Sequence, residues 1–170
     1  LEREVVGIII GGQRRDLERF GGANGEDPVA LGDEAVLEDY AFRVAGCVGA
    51  FWTKLGFLTM GEGFSRAPQE ELLERGIAYG KGLQLVNILK DSDDDEKEGR
   101  RYLPAGVPRA DVFALARRDL GAAGIRFKDL QTFEVPEGIF GGNPQLPEED
   151  VDTVAITYEE MGLLSTEKHF

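Results

Sequence analysis

At 170 residues, 42% of them hydrophobic and 30% charged, the chain has material for one domain with a buried core and too little for two. Its formal net charge of −13 repels nucleic acid and anionic membranes, so no nucleic-acid partner is expected. An anionic substrate would need a metal ion or a local cluster of Arg and Lys. The single cysteine, Cys47, excludes an internal disulfide and a cysteine-based metal site, and its small apolar surroundings (VAGCVGAF) read as core.

Residues 1–20 read as a helix whose second half, QRRDLERF, is charged. Residues 21–33, rich in Gly and Asn and holding Pro28, form a loop. A second helical stretch runs from 34 to about 60, entered through Asp33 as N-cap. Residues 61–68 break it. A third helix, 69 to about 95, is apolar around most of its circumference, as an element buried among other helices should be. Residues 99–108 make a turn, and a fourth helix comes next over 110–122 with Pro108 near its start. Few segments alternate with period two, so the expected fold class is all-α, a helical bundle. The longest apolar stretches, 5–12 and 44–52, fall short of the roughly 18 residues of a membrane span, and the N-terminus carries no basic leader. A cytoplasmic setting is expected. From 129 to 170 ten acids face one Lys, interrupted by Pro136, Pro144, Pro147 and the pair Gly141 and Gly142. The expected division is therefore a helical domain over 1–122 and an acidic, loosely structured tail over 123–170, with a short strand or helix near 151–164.

The third helix carries the chemistry. With Gln84 at the origin of a helical wheel, Asn87, Asp91 and Asp95 fall at about 300°, 340° and 20°, and Gly80 at about 320°. A polar line on an otherwise apolar helix must face a cavity or be fully hydrogen-bonded. Carboxylates at i and i+4 with an amide one turn back suit a hard cation such as Mg²⁺, which prefers to share phosphate oxygens. Arg100 and Arg101 stand at the helix exit, where guanidinium forks clamp phosphate. The alternative is a solvated acidic helix end. A calcium loop counted from Asp91 is excluded, because its sixth position, a required Gly, is Glu96 and its twelfth, a required Glu, is Tyr102. Gly80 is open to two readings: close packing of helices, or space for an apolar tail above the metal-facing stripe.

GLQLVNILKDSDDDEKEGRRYLP resembles the second aspartate-rich motif of the squalene/phytoene synthase family, LQ-x-x-N-I-x-x-D-x-x-x-D followed by G-R-x-x-x-P. LEDYAFRVAGCVGAFW is similar to that family's tyrosine-bearing helix, and GGQRRDLERF to the helix before it. The resemblance covers residues 1–122 in the family's order and implies an isoprenoid-synthase-type helical bundle, of which this chain is an incomplete, central part. It implies Asp91, Asp95 and Asn87 as Mg²⁺ ligands, Gln84 and Arg100 as substrate contacts, and Tyr40 as a catalytic residue of the first condensation. The implied reaction is Mg²⁺-dependent head-to-head coupling of two prenyl diphosphates, farnesyl diphosphate in the squalene-type branch. That branch brings NADPH and peripheral membrane contact through the lipid product. Phytoene synthesis from geranylgeranyl diphosphate, or an inactive acidic helical module, are the alternatives. The family's first DxxxD motif lies upstream of the point where this chain begins, and Asp16 alone does not replace it.

Overall fold

The computed structural model describes residues 1–127 and 133–134. Helix α1 spans Glu2–Phe20, α2 Glu34–Ala41, α3 Cys47–Met60, α4 Gln69–Lys97 and α5 Arg109–Ala122. Between and after them lie four two-residue strands: β1 Val29–Ala30, β2 Arg100–Arg101, β3 Arg126–Phe127 and β4 Phe133–Glu134. The all-α expectation holds, and each expected helix lies where the periodicity put it.

The second helical stretch begins as expected, with Asp33 Oδ1 accepting from the Val36 N–H at 2.9 Å. It then contains a π-turn, Phe42–Gly46, between α2 and α3. A π-turn inserts a residue and so rotates the downstream helix, here α3, relative to the upstream one, often near functional sites. The whole run Glu34–Gly63 reaches the length and hydropathy of a membrane span, with a mean of 1.2 over its best window. This corrects the expectation that no stretch would do so. One face of that run is nevertheless a protein contact, because Gly46, Gly49 and Thr53 lie against α4.

Small residues make that crossing possible. A Cβ built on Gly49 would overlap the Gly76 carbonyl, one on Gly76 would approach Thr53 Oγ1 to 2.6 Å, and one on Gly80 would overlap the Ala45 carbonyl. The glycines of VAGCVG and of the upper half of α4 thus let two backbones touch. The direction a Gly80 Cβ would take is filled by backbone, as close packing of helices requires, while Gly80 also lines an apolar groove between α3 and α4.

The main core lies between α2, α4 and α5. Leu31, Leu37, Leu85, Leu89, Val112 and Leu120 are its largest fully buried side chains. It continues beyond the expected boundary at 122, since Ala123 and Ile125 are buried and the Ile125 N–H donates to the Leu120 carbonyl at 3.0 Å. The positive φ of Gly124 (92°) turns the chain back to place Ile125 there. The expectation for 151–164 lies outside the described residues.

Strands β1 and β2 pair in parallel, Val29 with Arg100 and Ala30 with Arg101. Gly99, at φ 86°, ends α4 and lies so close to the Asn24 backbone that no side chain fits. The α1–α2 loop is thereby fastened to the exit of α4. That junction positions the site.

Candidate active site

The carboxylate end of α4, the start of β2 and the facing sides of α1 and α2 converge on one cluster: Asp95, Arg100, Tyr102, Tyr40 and Asp16. Arg100 donates to Asp95 Oδ1 at 3.2 Å and to Glu98 Oε2 at 2.6 Å. The Tyr40 and Tyr102 rings lie 4.9 Å apart at 31°, and Phe20 meets Tyr102 edge-on at 5.2 Å. The Tyr102 hydroxyl donates to Asp16 Oδ2 at 3.4 Å. The Tyr40 phenol feels both the Tyr102 ring beside it and the charge of Asp16.

Burial dominates the electrostatics here. It pushes the Tyr40 phenol far above its ordinary value, with the neighbouring Tyr102 and the charges of Asp16 and Asp95 adding to the rise. Tyr102 is raised for the same leading reason. Both phenols therefore stay neutral and present an O–H and a π face to whatever binds. Desolvation also raises Asp16, against the lowering effect of Arg19 and of the Tyr102 hydroxyl. Asp95 is raised by desolvation, opposed by Arg100 and reinforced by the charge of Asp91.

The ion pairing of this acidic run bears on a metal. Of the six acids in the run 91–98, Asp93 pairs with Arg109, Asp94 with Lys97, Asp95 and Glu98 with Arg100, and Glu96 with Arg101. Asp91 is exposed and has no ion pair among the described residues. No group of three or more His, Cys, Asp or Glu side chains is gathered to hold a metal among them. Asp91 and Asp95 fit a cation as a two-carboxylate half-site, whose remaining ligands would be an amide, water or substrate oxygens.

The site residues read from sequence are thus only partly brought together. Tyr40, Asp95 and Arg100 meet. Asn87, exposed, and Gln84, half-buried, lie on the same stripe about 12 and 16 Å along the helix from Asp95, at 1.5 Å per residue. Arg100 is engaged by carboxylates, so its first role in this state is to neutralise Asp95. Sequence reasoning missed Tyr102, which directly follows the two arginines, and weighed Asp16 only as a metal ligand.

Beside the stripe lies a groove of about 640 Å³ between α3 and the upper half of α4. Val44, Val48, Trp52, Phe64, Tyr79 and Leu83 are among its walls. Trp52, one of these walls, is 62% exposed.

An acidic helix end thus faces two half-buried phenols, and an apolar groove lies farther along the same helix. The sequence profile of the squalene/phytoene synthase family matches residues 1–130, and the chain belongs to that family. It is 33% identical over 105 residues to a presqualene diphosphate synthase of Rhodopseudomonas palustris, covering 62% of this chain and 32% of that one. It is 32% identical over 136 residues to a 15-cis-phytoene synthase of Synechocystis, covering 75% and 36%. A phytoene synthase of Thermus thermophilus is 37% identical over 83 residues, covering 49% and 25%. The chain spans about a third of the length of such relatives. No solved structure matches it.

Proposed function

We propose that this chain takes part in the Mg²⁺-assisted head-to-head coupling of two prenyl diphosphates. The observation that carries the reading is the half-site at Asp91 and Asp95, set beside a neutral Tyr40, with an apolar groove farther along the same helix. Asp91 and Asp95 would hold the metal, with Asn87 one turn below Asp91 on the same stripe, and the ion would supply neutralisation of the leaving diphosphate. Arg100, which here pairs with Asp95 and Glu98, would contact diphosphate oxygens. The Tyr40 ring would steady an allylic cation with its π face, and its O–H would move a proton. The groove walls keep water from the prenyl tail. Farnesyl diphosphate is the proposed substrate, supported by the relatives named presqualene diphosphate synthase. Those named phytoene synthase support geranylgeranyl diphosphate as the second reading.

Calorimetric titration tests the metal half-site. Mg²⁺ alone should bind weakly, and inorganic diphosphate should tighten it by on the order of tenfold, a gain that Asp91→Asn removes. Equal affinity with and without diphosphate would overturn the reading. Titrating farnesyl against geranylgeranyl diphosphate in the presence of Mg²⁺ separates the two substrates.

A further inference from the structure

Tyr102 closes the cluster from the β2 side, and its placement is over-determined. The parallel pairing of Ala30 with Arg101 fixes the backbone just before it, and Phe20 and Tyr40 hold its ring on two sides. Its hydroxyl reaches Asp16 across 86 residues of sequence. Asp16 is an unusual anchor. One oxygen accepts from Tyr102, while the other, Oδ1, is buried with no hydrogen-bond partner. A buried carboxylate oxygen left unsatisfied costs free energy and draws any nearby donor towards it. The Tyr40 ring lies 4.9 Å from that of Tyr102, which places a second phenol in the same cluster as the carboxylate.

We propose that Tyr102, anchored by Asp16, is a positioning residue that holds the Tyr40 hydroxyl at the Asp95–Arg100 end of the site. By donating to Asp16, Tyr102 partly satisfies the carboxylate, and by offering its own oxygen it gives Tyr40 a second partner. Without the Tyr102 hydroxyl, Asp16 captures the Tyr40 O–H, which is then turned away from a bound ligand. This inference rests on the prenyl-coupling reading of the site, and its test separates the two.

The full chain is labelled at the tyrosine ζ-carbons, and the Tyr40 resonance is assigned with Tyr40→Phe. Tyr102→Phe, which keeps the ring contacts, should displace the Tyr40 resonance, and Asp16→Asn, which keeps an acceptor but removes the charge, should displace it by less. With farnesyl diphosphate and Mg²⁺, Tyr102→Phe should lower kcat by roughly tenfold or more, the scale of a misplaced reacting group, with KM within about twofold. It should have no further effect in a Tyr40→Phe background, because both substitutions then remove one device. An unmoved Tyr40 resonance, or additive losses in the double variant, would overturn the positioning role. Absence of turnover in the unmodified chain counts against the prenyl-coupling reading, and the resonance then decides the positioning role by itself.

Discussion

Gly80→Ala is the sharpest probe of how α4 is seated. In an isolated helix the substitution would stabilise by about 1 kcal/mol, because Gly gives up more backbone freedom than Ala. Here the added Cβ would overlap the Ala45 carbonyl and lie 3.0 Å from the Gly46 Cα, so the obstructing atoms are all backbone. No side chain can swing aside; α4 and the π-turn must part. Overpacking of this kind costs about 1–3 kcal/mol, and a rigid obstruction belongs at the upper end. The net expectation is a loss of about 1–2 kcal/mol, or a melting midpoint lower by roughly 2–8 °C for a chain of this size. Gly7→Ala is the matched control, since a Cβ there meets nothing within 4 Å. It should gain up to about 1 kcal/mol. Thermal unfolding followed by helical circular dichroism reads both. If Gly80→Ala melts at or above the unmodified chain while Gly7→Ala rises as expected, the backbone contact is not what the glycine is for.

Burial leads to two more expected outcomes. Ile125→Ala should destabilise by about 2–5 kcal/mol in urea unfolding, because a core side chain is removed. Leu17→Ala, at a position 74% exposed, should stay within about 0.5 kcal/mol, and equal effects at the two sites would show that Ile125 is not packed in the core. Asp16 gives a pH signature. Its folded pKa is raised, chiefly by burial, so its contribution to stability is full below its ordinary value of 3.8 and lost as pH rises through the folded value. Asp16→Asn should therefore melt higher than the unmodified chain at neutral pH, with the gap closing as the solution is acidified below that ordinary value; a gap independent of pH would refute the burial argument.

What the sequence by itself determined is what local physics encodes. The 3.6-residue periodicity, the Asp33 cap and the Gly and Pro breaks place the four helical stretches, the second of which the π-turn divides into α2 and α3. The spacing of Gln84, Asn87, Asp91 and Asp95 places one polar stripe, since residues a turn apart on a helix share a face whatever surrounds it. The squalene/phytoene synthase resemblance comes from the same short segments. Tertiary structure alone decided which groups meet that stripe. Val29 and Ala30 pair with Arg100 and Arg101 through strands too short to show a period-two pattern, and this pairing brings Tyr102 onto Tyr40 and Asp16. The same holds for Gly80. A helical wheel gives the direction in which a missing side chain would point, and only the crossing of α4 with the π-turn shows that the Ala45 carbonyl already fills that space. Local dihedral preference and periodicity reach about one helical turn along the chain, whereas contacts between residues tens of positions apart are set by how the whole core packs.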